Sequence, residues 1–82
     1  MKTFHVKILT LNETLLDSHV QRCRIRTEKG AIGLEAKHET FLATIKPNTN
    51  VEVTTENDQT KTFGVNAGML RFEDNVCTII LD

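Results

Sequence analysis

The stretch Gly30-Ala31-Ile32-Gly33-Leu34-Glu35-Ala36-Lys37-His38-Glu39-Thr40-Phe41-Leu42-Ala43-Thr44-Ile45-Lys46-Pro47 holds two of the four glycines and the only proline of the chain. Paired glycines mark backbone with positive φ, or backbone that something else approaches closely. Phe41, Leu42, Ala43 and Ile45 read as a short buried segment. Lys46-Pro47-Asn48 ends it, because proline has no N–H to give a strand ladder. Ala36–Ile45 comes closest to a helical pattern. Its β-branched residues and alternating environment predict a turn and a strand instead.

Outward from this hinge the dominant period is two. Phe4, Val6 and Ile8 alternate with His5 and Lys7. Leu15-Leu16 opens a short strand that Asp17-Ser18 is expected to break. Cys23 and Ile25 then share one face, and Arg22, Arg24 and Arg26 the other. Val20 is out of phase with Cys23, which predicts a bulge between them. Val51 and Val53 precede an Asn57-Asp58 hairpin turn, and Phe63 and Val65 return from it. After a bend at Ala67-Gly68, Leu70 and Phe72 lead into the Glu73-Asp74-Asn75 turn. Cys77, Ile79 and Leu81 close the chain on one face. The expected core is Phe4, Val6, Ile8, Cys23, Ile25, Val53, Phe63, Val65, Leu70, Phe72, Cys77 and Ile79. Turn signals roughly every 8–12 residues predict an all-β sandwich or barrel.

Eighty-two residues, read as one domain over 1–82, allow only a modest core. A net charge of −1 is too little for non-specific nucleic-acid binding, which needs a strong positive field. No apolar run approaches the roughly 20 residues of a membrane span. The first residues lack the apolar region of a signal peptide, so a cytoplasmic protein is expected. Cys23 and Cys77 form no C-x-x-C pair and read as reduced thiols in the core.

His5, His19 and His38 lie on separate segments without metal-ligand spacing, so no metal is expected. No nucleophile motif or phosphate-cradling loop is present, and no catalytic residue or cofactor is expected. The arginine stripe reads as either a surface for an acidic partner or a polar face that blocks edge-to-edge strand pairing.

The opening stretch resembles the ε subunit of F-type ATP synthases, with its pattern G-x-x-G-I-x-P-x-H-x-P-x-L-x-x-I-x-P-G. Phe4-His5-Val6-Lys7-Ile8-Leu9-Thr10 is similar to that family's first strand. Phe63 to Asp82 resembles its closing F-x-V-x-G-G-x-L-x-V-x-x-x-x-V-T-I-L-x-D segment. The motifs recur in order along essentially the whole chain. The resemblance implies a two-sheet β-sandwich of about ten strands, and this chain stops where the family's helical hairpin would begin. It implies a non-catalytic rotor subunit at the cytoplasmic face of the membrane, peripheral and without membrane insertion. Such a subunit links γ to the c-ring and couples proton or sodium flow to ATP synthesis. His38, Glu39, Thr40, Phe41 and Leu42 then pack on γ, while the loop Gly30, Ala31, Ile32 and Gly33 faces the c-ring.

This sequence departs from the pattern at several points. Both prolines around His38 are replaced, by Ala36 and Thr40. Asn48 stands for the glycine after Pro47, and Ala67 for the first of two glycines. Ala31 occupies a position where many relatives are acidic. The alternative class is a freestanding β-sandwich that binds a ligand or carbohydrate. Such modules display exposed aromatics, whereas this chain has no Trp or Tyr and four Phe at inward phases.

Overall fold

In the computed structural model, which describes residues 2–82, every regular element is a strand. They are β1 (Phe4–Leu9), β2 (Thr14–Thr27), β3 (Gly30–Glu35), β4 (Phe41–Ile45), β5 (Thr49–Thr55), β6 (Thr60–Val65), β7 (Gly68–Glu73) and β8 (Val76–Leu81). The eight strands are fewer than the ten or so expected. Asp17-Ser18 does not break the chain, and β2 runs unbroken for 14 residues. The reason lies in the register. Asp17 points outward opposite Lys7, and Ser18 sits opposite Val6, so both fit the pleat.

β2 organises the molecule. Its first half pairs with β1, and its second half pairs with β3 on one side and β5 on the other. Ladders continue through β1-β8-β7-β4 and through β5-β6. Thr27 opposite Ile45 joins the far end of β2 to β4. The two expected sheets are therefore one continuous ladder folded over into two layers, with β2 shared. One layer is β4-β7-β8-β1 with the first half of β2. The other is β3, the second half of β2, β5 and β6. All pairings are antiparallel except that of β1 with β8.

Sharing β2 requires a change of phase along it. The register against β5 shifts between Val20 and Arg22, where the sequence predicts a bulge. Val20 and Cys23 both become fully buried as a result. The extra residue, Gln21, uses its side-chain N–H groups elsewhere. Nε2 donates to the Thr55 carbonyl at 2.9 Å and to Asp58 Oδ1 at 2.7 Å, tying down the β5–β6 turn.

Eleven of the twelve expected core residues are buried. Phe63 is the exception and packs half-buried against the core, because β6 is an edge strand covered on one side only. Leu16, Leu34, Ile45, Val51 and Leu81 complete the interior. Cys23 and Cys77 are free thiols inside it. Burial pushes the Cys77 thiol up to about 12. It pushes Cys23 higher, with the nearby Cys77 adding to the effect.

Candidate functional site

The stretch that decides the fold does not form one surface. Gly30 to Gly33 is not a loop but the first four residues of β3, paired with Thr27, Arg26, Ile25 and Arg24 in turn. β3 is six residues long, so at about 3.3 Å per residue it carries the chain roughly 17 Å from one end of the sandwich to the other. Gly30 sits at the end with Thr27 and Ile45. His38 sits at the opposite end, past Glu35. His38 and Phe41 therefore lie away from the Gly30 turn, whereas Leu42 shares a cleft with that turn's Thr27, Glu28 and Lys29.

The two glycines have different causes. Gly30 has φ of +120°, a conformation that L side chains rarely adopt, and this follows from the two-residue Glu28-Lys29 turn. Thr27 supports that turn, its Oγ1 donating to the Gly30 carbonyl at 2.9 Å and accepting from the Lys29 N–H at 3.1 Å. Gly33 has no such φ, and a Cβ there would enter open space. Nothing within the chain requires it. Between them Ala31 is exposed, while Ile32 turns inward against the core.

At the other end, Lys37 has φ of 65° and its N–H donates to Asn75 Oδ1 at 2.7 Å. The His38 N–H donates to the Glu35 carbonyl at 3.2 Å, and its Nδ1 donates to the Glu39 carbonyl at 2.8 Å. Its ring stands edge-on to Phe41 and Phe72, at centroid separations of 6.0 and 5.5 Å. His38 is thus half-buried, with its backbone and one ring nitrogen already engaged. Glu39 and Thr40 are exposed. Asn75 is the residue that sequence reasoning passes over as a mere turn residue. Its Nδ2 also donates to the Thr3 carbonyl at 3.1 Å, and its own carbonyl accepts from the His5 N–H at 3.1 Å. Its side chain so ties the Lys37 turn to the residue before β1, and its backbone carbonyl ties the β7–β8 hairpin to β1.

β4 is only half a buried segment. Ile45 is buried and Phe41 and Ala43 pack against the core, but Leu42 is 65% exposed. Met69 on β7 and Ile80 on β8, themselves cross-strand partners, are 51% and 56% exposed on the same outer face. Leu42 lies diagonal to Met69, with Arg71 as its own cross-strand partner and Thr44 opposite Met69, so the three make a diagonal apolar strip across β4, β7 and β8. Leu42 and Met69 also line a shallow cleft with Thr27, Glu28 and Lys29.

The other layer presents Arg22, Arg24 and Arg26 outward. Elsewhere, His5 faces His19 across β1–β2 with ring centroids 4.9 Å apart, and His5 Nε2 contacts Asp17 Oδ1. Among the described residues, no group of three His, Cys, Asp or Glu side chains is arranged to hold a metal.

The architecture is that of a small β-sandwich domain with an apolar strip on one layer and an arginine row on the other. The chain belongs to the family described as ATP synthase, Delta/Epsilon chain, beta-sandwich domain, which it matches over residues 3–82. It is 27% identical over 81 residues to the ATP synthase epsilon chain of Clostridium novyi (strain NT), covering 99% of this chain and 61% of that protein. It is 28% identical over 78 residues to ATP synthase epsilon chain 1 of Methylococcus capsulatus (strain Bath), covering 95% of this chain and 55% of that one. The chain therefore spans little more than half the length of these relatives. Two solved assemblies contain the same fold. In the mitochondrial ATP synthase OSCP/F1/c-ring structure of Euglena gracilis, a chain superposes with a TM-score of 0.91 at 23% identity, covering 99% of this chain and 51% of that one. In the central stalk and c-ring of the Tetrahymena thermophila mitochondrial enzyme, the values are 0.77 and 17%, covering 94% and 61%.

Proposed function

We propose that this chain is a non-catalytic central-stalk subunit of an F-type ATP synthase, held at the cytoplasmic face of the membrane through the complex. It joins the γ subunit to the c-ring, so that rotation driven by protons or sodium ions reaches the catalytic head. The observation that carries this reading is the family match, which runs through the whole sandwich, from residue 3 to residue 82.

The geometry is consistent with such a part. A coupling that transmits torque needs a body that does not shear and two attachment points that can be occupied together. The shared strand β2 makes both layers one hydrogen-bonded unit. His38 and Gly30 lie at opposite ends of that unit. In this reading His38, Glu39, Thr40, Phe41 and Leu42 meet γ, with Leu42 continuing into the apolar strip of Met69 and Ile80. Gly30, Ala31 and Gly33 meet the ring, and Ile32 holds β3 to the core behind them.

The test is a pull-down with γ across a salt series. Leu42→Asp is the informative variant, because Leu42 is exposed and its loss leaves the core intact. His38→Glu is less clean, since the His38 ring packs on Phe72. Binding of the unmodified chain should persist at high salt, because apolar burial is not screened as exposed ion pairs are. Leu42→Asp should weaken it at least about tenfold if the strip is a well-packed contact. Ala31→Lys should leave γ binding intact and reduce proton-driven ATP synthesis in reconstituted vesicles. Undiminished γ binding by Leu42→Asp, together with undiminished synthesis by Ala31→Lys, rejects the proposal.

A further inference from the structure

β3 is a sheet edge. It pairs with β2 along its whole length and, among the described residues, with no other strand. The phase of that ladder fixes which backbone groups are spare. Thr27 and Gly30 flank a two-residue turn and so exchange both hydrogen bonds. Bonding then alternates along the ladder, through the Ile25–Ile32 and Cys23–Leu34 pairs. The Arg26 carbonyl agrees with this phase, since it points away from β3 and accepts the Lys46 N–H at 2.8 Å. Ala31, Gly33 and Glu35 therefore turn their N–H and C=O groups to the open side of β3. The Glu35 carbonyl accepts the His38 N–H, which leaves it one further lone pair.

Edges are normally blunted by a lysine, a proline, a bulge or a covering element. The register of β2 with β3 runs without a shift, so β3 has no bulge. Its sequence, Gly30 to Glu35, contains no Lys, Arg or Pro. The arginine stripe stands one strand further in, on β2. Ala31 and Gly33 are exposed, and a Cβ on Gly33 would meet nothing. The other edge of this layer, β6, carries Lys61. An open ladder without these guards takes an extended strand through main-chain hydrogen bonds.

The edge is also complementary to itself. Antiparallel pairing about Gly33 sets Gly33 against Gly33 of a second copy, and Ala31 against its Glu35. Each outward group then has a partner. A slip of two residues in either direction sets an end of β3 against the Glu28-Lys29 turn or the Lys37 turn. No like charges stand directly opposite one another in this register. Half-buried Ile32 faces Leu34 of the second copy, so the apolar side of the layer continues across the junction. On the outer side, Arg26 and the second copy's Glu35 flank Ala31 two ladder spacings apart, roughly 10 Å, within reach of two long side chains. The two Arg24 backbones lie three spacings apart, roughly 14 Å, beyond the screening length of about 8 Å.

We infer that β3 is a strand-pairing edge whose occupant is β3 of a second copy of this chain, antiparallel about Gly33. The pairing does not depend on the rotor reading above. Where that reading holds, the homodimer hides Gly30, Ala31 and Gly33, so self-pairing and ring contact exclude one another. A single strand pair buries less than the roughly 1,000 Å² of a stable complex. The dimer is therefore weak and forms at about 0.1–1 mM.

The experiment is a dilution series of the isotopically labelled chain followed by NMR, with sedimentation equilibrium alongside. As concentration rises, the Ala31, Gly33 and Glu35 amides should shift and gain protection from exchange. The Ile32 amide, already bonded to β2, should be protected throughout. A mixture of labelled and unlabelled chain should show an intermolecular contact between the Ile32 and Leu34 α-protons. Gly33→Lys should weaken the dimer at least about tenfold, because it sets two lysines face to face. Gly33→Pro should do the same, because it removes an N–H that β2 does not use. Gly33→Ala should dimerise like the unmodified chain, since the pairing is made by backbone. Sedimentation as a monomer up to about 1 mM overturns the proposal. A dimer whose shifted amides lie on β6, or around Leu42 and Met69, overturns it as well. So does a Gly33→Lys dimer of undiminished strength. None of these three results bears on the rotor reading, which the γ pull-down tests separately.

Discussion

Asn75 Oδ1 accepts the Lys37 backbone N–H at 2.7 Å, joining two turns that lie 38 residues apart in the chain. Both residues have positive φ, 63° for Asn75 and 65° for Lys37, so each turn holds its neighbour in a conformation it would otherwise leave. Asp74 at 52° completes a two-residue hairpin turn of the kind that matches strand twist. The position of His38 depends on this link. Asn75→Ala should cost about 1–3 kcal/mol, as expected when partnered polar groups lose their hydrogen bonds. Hydrogen exchange should rise most at the Lys37 amide. Urea titration gives the first quantity and exchange mass spectrometry the second. An unchanged Lys37 exchange rate would show that the turn is held by other means.

Gly68 and Gly33 should respond oppositely to the same change. A Cβ on Gly68 would lie 2.9 Å from the Ile80 carbonyl oxygen and 2.9 Å from Leu81 Cδ2. The carbonyl belongs to the paired strand and cannot swing away. Gly68→Ala should therefore destabilise the fold by about 1–3 kcal/mol, as overpacking does. A Cβ on Gly33 meets nothing. Gly33→Ala should leave stability unchanged or raise it by up to about 1 kcal/mol, through the unfolded chain. Thermal unfolding of the two variants distinguishes these outcomes, and a destabilised Gly33→Ala would refute the open-space account.

The phenylalanines divide in the same way. Phe72 is fully buried and its ring lies 5.4 Å from that of Phe4. Phe72→Ala should cost about 3–5 kcal/mol. Phe63 is only half covered, so Phe63→Ala should cost closer to about 2 kcal/mol in proportion to the area it buries. Equal costs from denaturant titration would mean that β6 is not the edge its pairing indicates.

The thiols predict a dependence on alkaline pH. Both are raised from the ordinary value of 9.0, chiefly by burial. The folded state therefore keeps its protons where the unfolded state releases them. This contribution is intact below pH 9 and declines as pH rises towards 12, by up to roughly 1.4 kcal/mol per pH unit for each thiol. Replacing Cys77 with valine should flatten the fall in urea midpoint between pH 9 and 11. A native-state thiol titration near neutral pH should be slow and should reach two thiols only on unfolding. An unaltered alkaline slope in Cys77→Val would assign the decline to other groups.

Period-two alternation was enough to read most of the inward-facing residues and the bulge before Cys23. A strand repeats every two residues, so the apolar phase reports burial without any long-range information. Turn chemistry was equally local. Asn57-Asp58 and Asp74-Asn75 announce themselves because few residues tolerate positive φ. The family likeness drew on the same local motifs, taken in order.

The contact surfaces required the fold. Whether Asp17-Ser18 ends a strand depends on what lies opposite, and Lys7 and Val6 lie opposite. Leu42 reads as core by type, yet it points away from the core because Ala43 takes the inward phase opposite Leu70. The arginine stripe is visible in the sequence, but what stands across from each arginine is not. Arg22 and Arg24 have glutamates across the ladder and Arg26 has Ala31. Alternation states which face a side chain takes. Which residue it meets there is set by strand pairing between distant segments, and only the folded chain contains that information.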